Sequence, residues 1–437
     1  MGRTKRKRTR NRLNPPQQQN PNIGHNPVSI NLQKWLKRNG FLNPLNYQLR
    51  NFLETGRGIT SPQSIRPLDV LVRVPLNLLI TFDTIRKSEL VEYLNIEEKS
   101  LNIHTFLTLF LVMEKHKGAQ SEWKNYIDSL PCPEPTLPWI CRPEVIEFYP
   151  EELRVKALRL RSSFDECLGM LKVSFKPGTS CRCCGKSIDY LLDAQSFRWA
   201  YVLVNTRAIY VDPAFLMSKD NSHQSLLSDD PSLALCPYMD LFNHHYTAKT
   251  KANIVSIQGQ YFYQLTTMTG FKKYQQFFIS YGAHSNEKLF MEYGFFIPGN
   301  VFDFVRVSLK EVIDILKISL EERQYKYIKN YEFDEDEVYV NENGLSFVLK
   351  AILFVCYHPG ISNYASYIFS NKYPTEFDGI IRKSTKKLLE FKLQMCQRDI
   401  EELKLKNLGQ VHGFLDYREQ YILRLLKLLE ENMLCFS

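Results

Sequence analysis

The chain has 437 residues, 44% apolar and 24% charged, the balance of an ordinary soluble protein long enough for two or three packed domains. No apolar run approaches a membrane span, Leu107 to Met113 broken by Thr108 having only seven residues, and no apolar core follows the basic N-terminus as a secretory signal requires. Ten scattered cysteines fit a reducing compartment better than a disulfide scaffold.

Seven of the nine net positive charges sit in residues 1 to 12, on Arg3, Lys5, Arg6, Lys7, Arg8, Arg10 and Arg12. A run this dense cannot bury itself and reads as a nuclear-localisation or nucleic-acid-contacting tail, the alternative being a solvated terminus with no address role. Residues 13 to 28, rich in Asn, Gln and Pro, continue the disorder. Order is expected from Ile30, in a short helix with Leu32, Trp35 and Leu36 on one face and Asn39-Gly40 as its stop.

Gly56-Arg57-Gly58 comes next, then an alternating strand over Asp69 to Pro75. Two glycines around one residue let a ligand approach the backbone closely, and a plain turn fits equally well. From about 83 to 196 the pattern is helical. Thr105 is expected to cap a helix whose Phe106, Leu109, Phe110 and Met113 form an apolar stripe. Cys181-Arg182-Cys183-Cys184 raises a zinc site, but four ligands are needed and no second pair stands nearby in the sequence, so no metal is expected. The stretch Phe197 to Arg207 reads as a helix whose arginine can neutralise its C-terminus.

After a polar loop over 213 to 234, Asp240, Asn243 and His244 lie within five residues and offer donors and acceptors to a polar ligand. Ile254 to Ile257 and Tyr261 to Leu265 form a hairpin around Gln258-Gly259-Gln260. A strand, Phe277 to Ile279, ends in Tyr281-Gly282, where a phenol at a strand end is a candidate catalytic group. Ser285-Asn286 and Glu292-Tyr293-Gly294-Phe295-Phe296 follow. Beyond Pro298 the composition shifts to helix formers. Ser308 is expected to cap a helix with Val312, Ile313 and Leu316 inward, Phe333 to Glu337 forms an acidic loop, and long amphipathic helices cover Leu345 to Tyr357, Ile380 to Leu408 and Asp416 to Leu434. The leucine-dense last segment fits an internally packed helix or a coiled-coil surface.

The order of these pieces, an Asp three residues before an Asn-His pair, an apolar strand into Tyr-Gly, then Ser-Asn and a second Tyr-Gly-Phe, resembles the SET-domain methyltransferases. The nearest branch is the one that includes the Rubisco large-subunit lysine methyltransferase. The resemblance implies an α+β fold: a SET-domain β-fold with a knot-like crossing over residues 29–298, split by the helical insertion, then an all-helical substrate-binding domain over 299–437. It implies S-adenosylmethionine as cofactor, contacted by Gly56, Arg57 and Gly58, by Arg207 on its carboxylate, by Asn243 and His244 with Asp240 supporting their loop, and by Phe295 near the adenine. It assigns Tyr281 to the transferred methyl and Tyr293 to the same channel, with core packing as the alternative for Tyr293 and Phe295. Asn286 is expected to fix its loop, and Phe296 stands where relatives often have Val. The implied function is protein-lysine N-methylation of histone tails or other nuclear and cytosolic proteins, in nucleus and cytoplasm. Histidine methylation, or a non-catalytic binding scaffold, is the alternative.

Overall fold

The computed structural model describes residues 23–434 apart from 43–44, 96–100, 133, 135–136, 148, 217–225, 332–336 and 407–411. The basic tail, most of the acidic loop after Phe333 and the centre of the polar loop lie outside the described residues. The chain divides into two compact units, one of Met1–Pro135 with Ser162–Gly282 and one of Thr136–Arg161 with Ala283–Ser437. Helices of eight or more residues are numbered.

The first unit opens on α1, Pro27–Arg38. The helix starts earlier than its apolar face predicts, because the Asn26 side chain accepts from Val28 N and Pro27 occupies the first position, where a missing N–H costs nothing. Leu32 and Leu36 are buried, and Trp35 meets Trp123 edge-on at 5.6 Å. Strands β1 (Gln48–Phe52) and β2 (Gly56–Thr60) form an antiparallel hairpin. β3, Val70–Pro75, ends at its proline as the sequence predicts.

The insertion that follows is helical. α2, Ile103–Lys117, is capped by Asn102, whose Oδ1 accepts from the Thr105 backbone at 2.8 Å and from its hydroxyl at 2.7 Å. Thr105 is therefore inside the helix and not its cap, since the Asn102 side chain three residues upstream captures its free N–H first. Burial runs unbroken from Thr105 to Glu114, so this helix has no solvent stripe. α3, Glu151–Val173, crosses the division between the units at Arg161. α4, Ala194–Arg207, is capped by Asp193 and packs against α2.

Strands then return. β4 (Ala208–Tyr210) pairs with β5 (Leu233–Leu235), and β6 (Asn243–His244) waits for a later partner. β7 (Thr250–Ile257) and β8 (Gln260–Thr267) make the expected hairpin. Gln258 and Gly259 both have positive φ, 51° and 82°, the pair of left-handed residues that matches strand twist in a two-residue turn. β8 also pairs with β3, giving the order β3-β8-β7. Finally β9, Phe278–Ile279, lies parallel to β6, Asn243 opposite Phe278 and His244 opposite Ile279.

The second unit is mainly helical but carries a small sheet that the helical expectation leaves out: β10 (Val305–Arg306), β11 (Tyr339–Asn341) and β12 (Gly344–Leu345) in that order. Between them lie α5 (Leu309–Leu316), closed by a Ser308–Glu311 capping box, and α6 (Glu322–Asn330). α7, Phe347–Tyr357, is capped by Ser346 and buried from Ala351 through Cys356. The amphipathic expectation fails here because the run Ala351-Ile352-Leu353-Phe354-Val355-Cys356 has no polar position, which places the helix at the centre of the core. Phe354 contacts Phe377 of α8 (Glu376–Lys406) at 5.2 Å, and α9 (His412–Leu434) packs along α8 with Leu425 and Leu428 inward. Leu425 and Leu428 of the last helix thus belong to this core, with Leu415 and Leu429 packed against it, while Leu423 and Leu426 face solvent.

Candidate functional site

The short parallel ladder of β6 and β9 decides where the candidate residues meet. It sets His244 beside Tyr281, 37 positions later: the Tyr281 backbone N–H donates to His244 Nδ1 at 3.1 Å, and the two rings stack at 5.1 Å. Nδ1 is the acceptor and carries no proton, so the ring is neutral with its hydrogen on Nε2. The Tyr281 hydroxyl donates to the carbonyl of Phe242 at 2.7 Å, which fixes where the phenol points.

Asn243 reaches in the other direction. Its Nδ2 donates to Arg57 O at 2.8 Å and Thr55 O at 3.3 Å, tying β6 to the β1–β2 hairpin. The two glycines there have separate reasons. Gly56 has φ of +66° with open space where a side chain would stand, so the turn demands it. Gly58 is demanded by packing, since a Cβ there would lie 2.4 Å from Gln276 Nε2. The close approach expected from a ligand is made at Gly58 by the protein's own glutamine, which also accepts from Thr55 Oγ1 at 2.8 Å. Arg57 donates to Ser129 O at 2.7 Å, and burial, then the nearby Arg207 cation, lower its pKa.

Arg207 ends α4 and points at the turn before β6. Nη1 donates to the Asp240 carbonyl at 2.7 Å and lies 3.4 Å from Asp240 Oδ2, to which Tyr126 also donates at 3.1 Å. The Asp240 side chain is only 4% exposed, so this is an ion pair largely removed from water and not the solvated cap that a C-terminal arginine usually makes. Burial, then the Asp240 charge, hold the Tyr126 phenol well above its ordinary pKa, so it stays a donor. Arg207 Nε is buried with no hydrogen-bond partner among the described residues, a donor left over for an anionic group. The backbone is strained at the same turn: Tyr238 has φ of 74° yet carries a buried side chain, which Phe41 and Tyr47 pack against.

Gly56, Arg57, Gly58, Arg207, Asp240, Asn243, His244 and Tyr281 all belong to the first unit, whereas Tyr293 and Phe295 belong to the second. There, Leu289–Tyr293 is a turn of π-helix closed by Gly294 at φ 81°, a local widening that re-aims side chains. The Tyr293 ring stacks on His284 at 5.9 Å and meets Phe295 edge-on at 6.2 Å. Burial, then Glu292, raise its pKa. Asn286 holds this loop through both faces of its amide, donating to Ile297 O at 3.0 Å and accepting from Ile297 N at 3.0 Å, while its own backbone N–H reaches Asp303 at 3.0 Å. Gln276 and Tyr126 carry no motif and are recognisable only from these contacts.

No family model matches the chain. It is 31% identical to human SET domain-containing protein 4 over 344 residues, 77% of this chain and 75% of the relative. Ribosomal lysine N-methyltransferase 2 of Saccharomyces cerevisiae is 24% identical over 72% of this chain and 79% of its own length. The actin-histidine N-methyltransferase of Gallus gallus is 25% identical over 64% of this chain and 44% of that relative. Among solved structures, the SET domain of LSMT bound to lysine and AdoHcy superposes with a TM-score of 0.60 at 18% identity, covering 94% of this chain and 91% of that one, a likeness of fold. The implied SET-domain fold is thus present, and by its likeness to the human relative over three quarters of both proteins the chain belongs to the SET-domain methyltransferases, in the SET domain-containing protein 4 family.

Proposed function

We propose that this protein is an S-adenosylmethionine-dependent protein-lysine N-methyltransferase. The observation that carries the reading is the buried Arg207–Asp240 pair with its leftover Nε donor, one loop away from the stacked His244 and Tyr281. A planar guanidinium with a free edge in a dry setting suits a carboxylate, which the cofactor's amino-acid end provides. The main chain of Asn243 and His244, with the Gly56–Gly58 hairpin behind it, takes the rest of that ligand. Asn243's amide hydrogens are already committed to the hairpin, so its part is to fix the loop. When bound, S-adenosylmethionine supplies a methyl group on a positively charged sulfur, and the attacking amine must arrive without its proton. For a free lysine that deprotonation costs about 4–5 kcal/mol at pH 7, and a neighbouring cation with a desolvating channel reduces it. Tyr281 needs no base strength in this scheme: with its own hydrogen on Phe242 O, its oxygen accepts from the incoming amine and aims the lone pair.

Lysine is favoured because ribosomal lysine N-methyltransferase 2 aligns with more of this chain than the actin-histidine enzyme does. Histidine methylation is the second reading, supported by that relative. Histone tails and other nuclear or cytosolic proteins are the proposed substrates, with the tail at residues 1–12 as the import signal, and deletion of residues 2–12 should reduce nuclear accumulation. The test is transfer of labelled methyl groups to nuclear extract followed by mass spectrometry of the modified peptides. Methyllysine is expected, with Tyr281→Phe slowing turnover by about 100-fold while cofactor binding persists. Methylhistidine would replace the first reading by the second. Cofactor binding with no transfer to any protein would reduce the molecule to a scaffold.

A further inference from the structure

The cysteines of the helical insertion acquire from the fold the fourth ligand that the sequence does not show. His116, on the last turn of α2, places Nε2 3.1 Å from Cys184 Sγ. Cys181 and Cys183 place their sulfurs 3.0 Å apart, and the four ligand atoms of His116, Cys181, Cys183 and Cys184 all lie within 4.8 Å of one another. We propose that these residues form a structural zinc site. All four belong to the first unit.

The separations suit the ion. Zinc–sulfur bonds of about 2.3 Å and zinc–nitrogen bonds of about 2.0–2.1 Å in a tetrahedron put neighbouring donors roughly 3.5–3.8 Å apart, inside the range found here. A disulfide needs its sulfurs at about 2.05 Å, and all four side chains converge on one point instead of pairing. Three thiolates and one imidazole are a soft, closed set with no position for substrate, which selects zinc over magnesium or calcium.

The backbone is built for the task. Cys181 N–H donates to Lys186 O at 2.8 Å and Gly185 N–H donates to Cys181 O at 2.7 Å, while Ser180 and Ser187 bridge antiparallel at the base of the loop. Gly185, at φ 73°, lets the chain reverse immediately after the third cysteine, so three sulfurs emerge on one side of a five-residue turn. Outside the cluster the loop is anchored by Arg182, whose backbone N–H donates to the Tyr93 hydroxyl at 3.2 Å and whose guanidinium pairs with Glu92. Three thiolates with zinc carry one net negative charge, and Arg182 and Lys186 flank them in the sequence. Metal binding would fasten the end of α2 to the loop that leads into α4, the two helices that pack together in the insertion. Its role is structural: zinc exchanges protons from the thiols for metal bonds and changes no oxidation state.

The experiment uses the full chain, purified under reducing conditions and dialysed against metal-free buffer, with elemental analysis by mass spectrometry. About one zinc per chain is expected, the content of a single four-ligand site. Cys184→Ser and His116→Ala alter exposed or half-buried side chains, so both should fold by circular dichroism while losing most of the metal and melting at lower temperature, and His116→Cys should restore binding. Cobalt exchanged into the parent should show thiolate-to-metal charge transfer and tetrahedral ligand-field bands that Cys184→Ser removes. A parent chain that neither contains zinc nor takes up zinc or cobalt overturns the proposal. So does zinc that survives both variants, or a disulfide among Cys181, Cys183 and Cys184. Every readout is independent of methyl transfer.

Discussion

Replacing Arg207 separates its two jobs, holding Asp240 and presenting a free donor. In Arg207→Lys an ammonium can still sit near the Asp240 carboxylate, but it cannot donate to the Asp240 carbonyl and keep a second, parallel edge open. A hydrogen bond to a charged group contributes about 1.5–3 kcal/mol, so the cofactor's affinity should fall roughly 10- to 150-fold. Stability should fall by no more than about 1–2 kcal/mol, because the buried charges remain paired. Arg207→Met instead strands a carboxylate that is 4% exposed with Tyr126 as its one remaining side-chain donor among the described residues, and should cost about 3–5 kcal/mol of stability. Calorimetric titration with S-adenosylmethionine and urea unfolding read the two effects separately. If Arg207→Lys binds the cofactor within twofold of the parent, the leftover Nε is not a ligand contact and the proposed orientation of the cofactor is wrong.

Gly58→Ala should destabilise by about 1–3 kcal/mol through the clash with Gln276, whereas Gly56→Ala meets open space and carries only the strain of its positive φ, about 1 kcal/mol. Equal losses in urea unfolding would contradict this assignment. Lys392 is 7% exposed and lies 2.6 Å from both Glu152 and Glu311, so Lys392→Met should cost about 3–5 kcal/mol by thermal or urea melts. Adding Glu152→Gln and Glu311→Gln to that variant should recover much of the loss. Burial pushes the Asp303 carboxyl up to about 6, above the unfolded value near 3.9. Between those values the folded state holds a proton that the unfolded state has released, so this group stabilises at low pH and the gain is lost as pH rises through 6. Relative to Asp303→Asn, the parent should therefore lose about 2 kcal/mol between pH 4 and pH 7, and parallel stability profiles would refute it.

What the sequence discloses depends on how local the cause is. α4, the β7–β8 turn and the Ser308 cap rest on side chains within three or four residues of one another, and they are legible. The cap of α2 falls on Asn102 and not on the expected Thr105, because either residue type can cap a helix and only the backbone geometry fixes where the first turn begins. α7 reads as amphipathic from its ends and turns out to be central, because what covers it comes from α8 and the sheet. At the site, Arg207, Asn243, His244 and Tyr281 were recognisable through resemblance, but strands of two residues have no period to detect, so their parallel pairing is invisible in the sequence. Gln276 against Gly58 and His116 against the cysteines are contacts across 218 and 65 to 68 positions, counted from the residue numbers, and composition does not hint at either.

The two-residue ladder between β6 and β9 also governs when the site comes into being. Bringing His244 to Tyr281 closes a loop of 37 positions, an entropic cost of up to about 3 kcal/mol that the β7–β8 hairpin lowers by folding first inside it. With so few bonds to hold it, this crossing should assemble late, and a partly folded chain has secondary structure but no pocket. A small molecule that binds only the finished crossing then acts as a keystone: at a hundred times its dissociation constant it adds about 2.7 kcal/mol against unfolding. Starving the protein of that molecule would shorten its lifetime before it affected any turnover.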